Sequence, residues 1–279
     1  MPYLMSVLMG ILQGIAEFLP ISSSGHLALF QHFFGMENVE EKQLFFSVLL
    51  HFGTLISVCA VYWQDILEMI EEFFRGIAGL FSREANRPVH VPPARRMVML
   101  LILGTLPLFA LLPVKDKIEA LFTNITFVSC ALIVTGFILF LSDRMSHGHK
   151  TAKSAKVSDA LIVGIAQAIA VVPGISRSGA TISTGMLCGY DRRFAVRFSF
   201  LLSLPAVLGA TILELKDALE AGFDTSMLPA YLVGMATAAV VGFFAIHLVN
   251  ALAKRGKFGK FAYYCWAVGL VTLIAGFLE

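Results

Sequence analysis

The sequence predicts an all-α integral membrane protein with six transmembrane helices and two re-entrant helical hairpins, arranged as an inverted-topology repeat. Its 279 residues are 57% hydrophobic and 14% charged, with a mean hydropathy of +0.80. Soluble domains carry roughly 25% charged residues, so a soluble class is excluded. Several apolar stretches are long enough to cross a bilayer, and two others are interrupted by similar polar motifs. We therefore expect one membrane domain over residues 1–279.

Each membrane element follows from the length of its apolar run, since a transmembrane helix needs ~20 such residues. Six continuous runs qualify, at residues 44–63, 96–113, 124–142, 193–215, 227–250 and 260–278. The stretches 3–34 and 157–189 are each broken by Pro, Gly and Ser, and their second runs are too short to span. We predict that both are re-entrant hairpins. Residues 64–81 alternate apolar and acidic positions at helical spacing, which predicts an interfacial amphipathic helix before a polar loop at 82–93.

The distribution of basic residues predicts the orientation. With both hairpins re-entrant, the loops 35–43, 114–123 and 216–226 share a side with both termini and carry four cations, Lys42, Lys115, Lys117 and Lys216. The loops on the opposite side carry sixteen. By the positive-inside rule, both termini lie outside the cytoplasm.

Two motifs indicate an internal repeat. Residues 13–26 (QGIAEFLPISSSGH) and 167–180 (QAIAVVPGISRSGA) match without gaps at seven of fourteen positions. A second match follows in the same order, between FSVLLHFGTL at 46–55 and FSFLLSLPAV at 198–207. The halves 1–150 and 151–279 would each hold one hairpin and three crossings. Because three is an odd number, the second half is inverted relative to the first.

The motifs also predict a site where the hairpins meet. A lone arginine in the membrane costs about 2.5–3.5 kcal/mol, so Arg177 needs a partner, and Glu17 is the nearest candidate if the hairpin tips touch. Interrupted helices expose backbone N–H groups that bind anions, and arginine adds bidentate recognition of phosphate. Intramembrane phosphate chemistry is therefore expected. The candidate groups beside this pair are Ser22, Ser23, Ser24, Gly25, His26, Gly174, Ser176, Ser178 and Gly179.

With QGIAEFLPISSSGHL (13–27) and VVPGISRSGATI (171–182), the chain resembles the bacterial undecaprenyl-diphosphate phosphatase family of the bacitracin-resistance type over essentially its whole length. The resemblance implies hydrolysis of undecaprenyl diphosphate to the monophosphate, which recycles the lipid carrier for cell-wall synthesis and confers bacitracin resistance. It implies a site open to the outer face of the bacterial cytoplasmic (inner) membrane and a divalent cation, Mg²⁺ or Ca²⁺. The expected partners are the polyprenyl diphosphate and membrane lipids, not nucleic acid. The oligomeric state is left open, a homodimer included.

The resemblance also assigns roles to individual residues. It makes Glu17 the essential acid, Ser22 to Ser24 the serine-rich stretch, His26 the histidine and Arg177 the phosphate-binding arginine. Some family members carry a second glutamate one turn before the first, where this chain has Gln13. Glu17 is therefore the expected metal ligand, and Gln13 a weaker one, because its oxygen is neutral.

The sequence leaves the nucleophile open. We favour Ser23, activated by His26 as general base, over an activated water or direct phosphorylation of His26. In the favoured hypothesis Glu17 binds the metal or orients the nucleophile. A different class also fits the repeat, namely a transporter of a polyprenyl phosphate or another anion. The transporter needs anion-binding groups but no nucleophile beside a general base. Hydrolysis and flipping of the lipid carrier are also compatible with each other in one protein.

Overall fold

The computed structural model describes residues 3–33, 40–81, 91–145, 147–221 and 225–278. Regular structure in these ranges is helical, apart from an isolated bridge between Lys150 and Tyr190. Parts of the predicted loops 35–43, 82–93 and 216–226 lie outside the described residues. The helices are α1 (Tyr3–Ala16), α2 (Ser23–Phe33), α3 (Glu40–Val61), α4 (Trp63–Phe81), α5 (Pro93–Thr105), α6 (Lys115–Glu119), α7 (Ile125–Met145), α8 (Val157–Ile169), α9 (Arg177–Leu187), α10 (Arg192–Ala221), α11 (Leu228–Lys254) and α12 (Lys260–Leu278).

The long apolar helices make this chain a multi-pass membrane protein. Five described helical segments are long and apolar enough to cross a bilayer: Pro93–Glu119, Ile125–Met145, Arg192–Lys216, Thr225–Lys254 and Lys260–Leu278. They coincide with five of the six predicted spans. The first segment continues from α5 through the 3₁₀ helix Leu106–Val114 into α6. A second 3₁₀ turn, Thr225–Met227, leads into α11.

The remaining predicted span, residues 44–63, forms the first limb of a bent pair of helices. The chain bends by 83° between Phe45–Val61 of α3 and Trp63–Gly79 of α4. The two helices therefore count as one broken span, or as a span followed by a helix that runs in another direction. The helix predicted over 64–81 is present as α4. Its Glu72 is buried and forms ion pairs with Arg75 (3.1 Å) and Arg95 (3.0 Å). The pair with Arg95 ties α4 to the beginning of α5, whereas the pair with Arg75 lies within α4.

Both interrupted stretches consist of two short helices separated by a break. In the first stretch, α1 ends at Ala16 and α2 begins at Ser23; in the second, α8 ends at Ile169 and α9 begins at Arg177. We call residues 17–22 the first break and residues 170–176 the second break. Each break contains a proline, Pro20 or Pro173, which lacks an N–H. The left-handed backbone is adopted by Ser22 (φ +72°) in the first break and by Gly174 (φ +90°) in the second.

The two breaks end in the same cap. The Ser22 hydroxyl accepts a hydrogen bond from the Gly25 N–H at 3.2 Å, and the aligned Ser176 hydroxyl accepts one from Gly179 at 3.0 Å. A serine in this position satisfies a backbone donor of the first helical turn. The alignment of the two motifs therefore extends to their hydrogen bonds.

Each break is held by a long helix of the opposite part of the chain. The Thr135 hydroxyl of α7 donates to the carbonyl of Gly174 at 2.9 Å and accepts from the Ser176 N–H at 3.1 Å. On the other side, the Cys265 thiol of α12 donates to the carbonyl of Pro20 at 3.7 Å. Pro20 and Gly174 are aligned in the two motifs, and α7 packs along α12.

The other helix contacts form corresponding pairs when the two predicted halves of the chain are compared. Helix α1 packs on α11, whereas α8 packs on α5; α3 packs on both α10 and α11, and α5 contacts α10. Close backbone approach makes the α8 contact tight, because a Cβ added at Gly164 would lie 2.3 Å from the carbonyl oxygen of Gly104. The largest cluster of buried hydrophobic residues lies between these helices and includes Phe18, Phe198, Phe200 and Leu202.

Candidate active site

The first break and the first turn of α2 lie against the second break and the first turn of α9 inside the helical bundle. A Cβ added at Gly25 would lie 3.0 Å from the Cα of Gly174. This contact brings the residue that follows α1, Glu17, next to the first residue of α9, Arg177. The juxtaposition predicted from the repeat is therefore present.

Glu17 is the centre of the polar cluster. Its side chain is buried, and one carboxylate oxygen, Oε1, forms an ion pair with Nη2 of Arg177. The other oxygen, Oε2, accepts hydrogen bonds from the Ser23 hydroxyl at 2.7 Å and from Nε2 of Gln13 at 3.1 Å. Three donors thus hold this carboxylate, and its charge is compensated by the guanidinium. The cost of placing Arg177 in the bundle is met by this partner.

Serines surround the pair on both breaks. Ser22 and Ser24 lie with their hydroxyls 3.3 Å apart, and Ser176 and Ser178 repeat this spacing at 3.3 Å. Ser178, in the first turn of α9, also donates to the carbonyl of Leu19 in the first break at 3.3 Å. The first turns of α2 and α9 begin at this cluster, so their N–H groups and positive dipole ends add to the anion-binding capacity.

A cavity of about 680 Å³ begins at this cluster. Its polar end is formed by Glu17, Ser22, Ser23, Ser24, Ser176 and Arg177. Most of the remaining wall is apolar and comes from the 3₁₀ helix after α5 and from α10, with Phe109, Leu112, Ile212 and Leu213 among its residues. These four side chains are exposed. The cavity therefore suits a molecule with an anionic head and a long apolar tail.

His26 points away from the cavity. Its Nδ1 lies 2.8 Å from the carbonyl oxygen of Ser22, and its Nε2 lies 2.8 Å from the hydroxyl of Tyr264 on α12. The two rings are stacked, with their centroids 5.5 Å apart. Both ring nitrogens are occupied in this way, and the hydrogen bond expected between Ser23 and His26 is not formed. The partner of the Ser23 hydroxyl is Glu17.

Three residues at or beside the site were not predicted from the sequence. His51 of α3 and Gln167 of α8 line the cavity, and Tyr264 holds His26. His51 and Gln167 both lie within the two repeated motifs, so the repeat offered a signal for them. Tyr264 offered none, because its contact depends on how α12 packs.

The side chains that could act as metal ligands determine which cation the site can hold. Among the described residues, no three His, Cys, Asp or Glu side chains come together. Glu17 is the carboxylate of the cluster, and beside it the carbonyl oxygen of the Gln13 amide is buried without a hydrogen-bond partner. A hard divalent cation such as Mg²⁺ is commonly bound by one or two protein oxygens together with substrate phosphates. The residues present fit that mode of binding.

The fold and site define a class: a multi-pass helical membrane protein with an acid, an arginine and hydroxyls at the head of an apolar cavity. A family model described as "Bacitracin resistance protein BacA" matches residues 6–271. The chain belongs to this family. It is 40% identical to an undecaprenyl-diphosphatase of Halothermothrix orenii over 269 residues, which cover 96% of each chain. It is 42% identical over 276 residues to one of Desulforapulum autotrophicum, with 98% of each chain covered.

Proposed function

We propose that this chain hydrolyses undecaprenyl diphosphate to undecaprenyl monophosphate and phosphate. The observation that carries the proposal is the cluster of Glu17, Ser23 and Arg177 at the polar end of an otherwise apolar cavity. The relatives named undecaprenyl-diphosphatase, aligned over almost their whole length, support the same activity. The product would return the lipid carrier to cell-wall synthesis. Bacitracin resistance is part of the same proposal, in keeping with the description of the family.

Arg177 binds the diphosphate in this proposal. Its planar guanidinium can donate two hydrogen bonds to phosphate oxygens, and it stands at the beginning of α9, where the helix dipole also favours an anion. Ser22, Ser24 and Ser176 line the cavity beside it, whereas the other predicted binding residues, Gly25, Gly174, Ser178 and Gly179, lie next to this wall without lining the cavity. When the substrate enters, the phosphate replaces part of the contact between Arg177 and Glu17, which leaves the carboxylate free to act.

Ser23 is the nucleophile that the geometry favours. Its hydroxyl already donates to Glu17 at 2.7 Å, so Glu17 can take the proton while the serine oxygen attacks the terminal phosphorus. The P–O bond to the bridging oxygen breaks, and undecaprenyl monophosphate leaves. Water then hydrolyses the phosphoserine to release phosphate and restore the hydroxyl. A water held by Glu17 and attacking the diphosphate directly is the alternative.

His26 supports the site instead of acting as the base. Its ring joins the Ser22 carbonyl to Tyr264, and it thereby fixes the first break against α12. This arrangement disfavours phosphorylation of His26, because both nitrogens face protein groups and the ring is not part of the cavity wall. We therefore place His26 among the positioning residues.

A divalent cation, Mg²⁺ or Ca²⁺, would be held by Glu17, with the Gln13 amide oxygen as a second, neutral ligand. When bound, such an ion neutralises charge on the phosphates and so makes the attack on phosphorus easier. Chelation is therefore expected to stop phosphate release. Restoring Mg²⁺ or Ca²⁺ would recover it.

The inverted repeat completes the proposal. The matched caps, the matched contacts of Thr135 and Cys265, and the paired packing of α1 on α11 and α8 on α5 support two halves, 1–150 and 151–279, of opposite orientation. In this arrangement α1–α2 and α8–α9 are re-entrant hairpins and six segments cross the membrane. The cavity wall includes Lys115 and Glu119, which lie in the predicted outer loop 114–123. The site would therefore open to the outer face of the cytoplasmic membrane, on the side of both termini.

Phosphate release from a C55 prenyl diphosphate by the purified, detergent-solubilised protein tests the proposal. Release that requires a divalent cation and is lost in Glu17→Gln would support it. The alternative of a transporter without hydrolysis shares the inverted repeat and the anion-binding cavity. Absence of release under several cations and detergents, together with passage of the labelled lipid across the bilayer of proteoliposomes, would favour the transporter.

A further inference from the structure

We propose that Gln167 is a further substrate-binding residue, whose amide Nε2 donates a hydrogen bond to an oxygen of the diphosphate. This inference rests on the proposed function and extends it to a second helix. Gln167 lies on α8, three residues before the second break begins. It lines the cavity together with Ser176 and Arg177.

The amide of Gln167 is buried and lacks partners. Its side chain is 1% exposed, and neither Nε2 nor Oε1 has a hydrogen-bond partner among the described residues. A buried amide normally forms hydrogen bonds, because leaving it without them costs folding free energy. In a cavity wall, a ligand can supply the missing bonds. The position therefore fits a group whose partner comes from outside the chain.

The internal repeat indicates which hydrogen-bond partner Gln167 lacks. In the first half, Gln13 of α1 donates to Glu17, which lies four residues later, directly after the end of α1. Gln167 is aligned with Gln13, but the residue four positions later is Val171. The second half thus retains the amide without the carboxylate that its counterpart binds. An anionic oxygen of the substrate would take the place of that carboxylate.

A neutral donor suits this position chemically. At the polar end of the cavity Arg177 supplies one positive charge, and Glu17 balances it. An amide can orient a phosphate oxygen without changing that balance, and its Oε1 can accept from a water that hydrates the diphosphate. The contact would form on substrate binding and persist in the transition state. Its loss should therefore raise KM more than it lowers kcat.

Gln167→Leu tests the inference, since leucine is close in size and removes both unpartnered atoms. We expect KM for undecaprenyl diphosphate to rise about tenfold, as for the loss of one hydrogen bond to a charged group, with kcat within about twofold. The midpoint of thermal unfolding without substrate should not fall, because no protein hydrogen bond is lost. The rise of that midpoint on adding inorganic pyrophosphate should become smaller.

Tyr190→Phe provides the matched control. The Tyr190 hydroxyl is also buried without a hydrogen-bond partner among the described residues, but Tyr190 does not line the cavity. Its removal should leave both KM and the pyrophosphate effect unchanged. An unchanged KM and an unchanged pyrophosphate effect in Gln167→Leu would overturn the inference. So would a lowered unfolding midpoint with unchanged KM, because it would show a purely structural role.

The pyrophosphate measurement separates this inference from the proposed function. If wild-type protein released no phosphate, the enzymatic proposal would fail. Stabilisation of the wild type by pyrophosphate, and its loss in Gln167→Leu, would still establish the anion-binding role of the amide. If the wild type hydrolysed the substrate and the variant matched it in every measurement, only the role of Gln167 would fail.

Discussion

Arg177 forms an ion pair with Glu17, 160 positions earlier in the chain, and this contact joins the two helix breaks inside the bundle. The side chains are 21% and 6% exposed, so both charges are largely withdrawn from solvent. A buried ion pair is weak evidence for stability, since apolar residues of similar size often stabilise as well or better. Its position at the head of a cavity, with Ser23 on the same carboxylate, indicates a chemical role.

Ser23 and Ser24 should differ sharply although they are neighbours that both line the cavity. Ser23 donates to Glu17 at 2.7 Å, whereas the Ser24 hydroxyl lies 3.3 Å from that of Ser22. We expect Ser23→Ala to lower kcat by about 10³-fold or more and Ser24→Ala by less than about tenfold. Phosphate release measures both. Acid quenching followed by mass spectrometry should find phosphate on Ser23, and equal losses in the two variants would contradict the assignment.

His26 should tolerate a change that a general base does not. Gln can keep a hydrogen bond to Tyr264 or to the Ser22 carbonyl, so His26→Gln is expected to retain measurable activity with an unchanged shape of the pH–rate profile. Tyr264→Phe should lower kcat by less than about tenfold, because it removes one hydrogen bond to the ring. If His26→Gln lost the acidic limb of the pH–rate profile, the result would support His26 as the general base.

Gly174 should not accept a side chain. Its φ of +90° disfavours other residues, and an added Cβ would lie 2.5 Å from the carbonyl oxygen of Val128. Gly174→Ala should lower the unfolding midpoint and activity together, with a cost in unfolding free energy of about 1–3 kcal/mol. The control is Gly79→Ala on α4, where a Cβ would meet nothing within 4 Å. Similar stabilities of the two variants would show that the second break can adjust.

Phe109 should affect recognition of the lipid tail. It lines the apolar part of the cavity and is 62% exposed, whereas Phe244, 65% exposed, lies outside the cavity wall. Burying a phenylalanine is worth about 1.5–3 kcal/mol, or about ten- to hundredfold in affinity. Phe109→Ser should raise KM for the C55 substrate within that range and change KM for a short prenyl diphosphate less. Phe244→Ser should change neither, and equal effects of the two substitutions would place the tail elsewhere.

The breaks and the meeting of Glu17 with Arg177 could be predicted from the sequence. Proline and glycine interrupt helices for local reasons, and the matched motifs placed the two interruptions in related positions. The same comparison predicted that Ser22 and Ser176 are equivalent, and both cap the helix that follows. Five apolar spans followed from length alone, because membrane thickness fixes the length of a crossing helix.

The partners of Ser23 and His26 could not be predicted in this way. Both residues lie at the beginning of α2, and their separation of three positions made a mutual hydrogen bond plausible. Ser23 instead faces Glu17, just after the end of α1, and His26 turns back to the Ser22 carbonyl and outward to Tyr264, which is 238 positions away. Such a contact depends on the rotation of α12 within the bundle. The repeat contains no information on that rotation.

The most direct measurement compares phosphate release from undecaprenyl diphosphate by wild-type protein and by Arg177→Ala of equal monodispersity. In the proposed function Arg177 binds the phosphate, so its loss should lower kcat/KM by about 10²–10³-fold or more while the variant remains folded. The wild type should release phosphate only with a divalent cation present. Comparable phosphate release by the folded variant, or no phosphate release by a well-folded wild type, would contradict hydrolysis at the site where the two breaks meet.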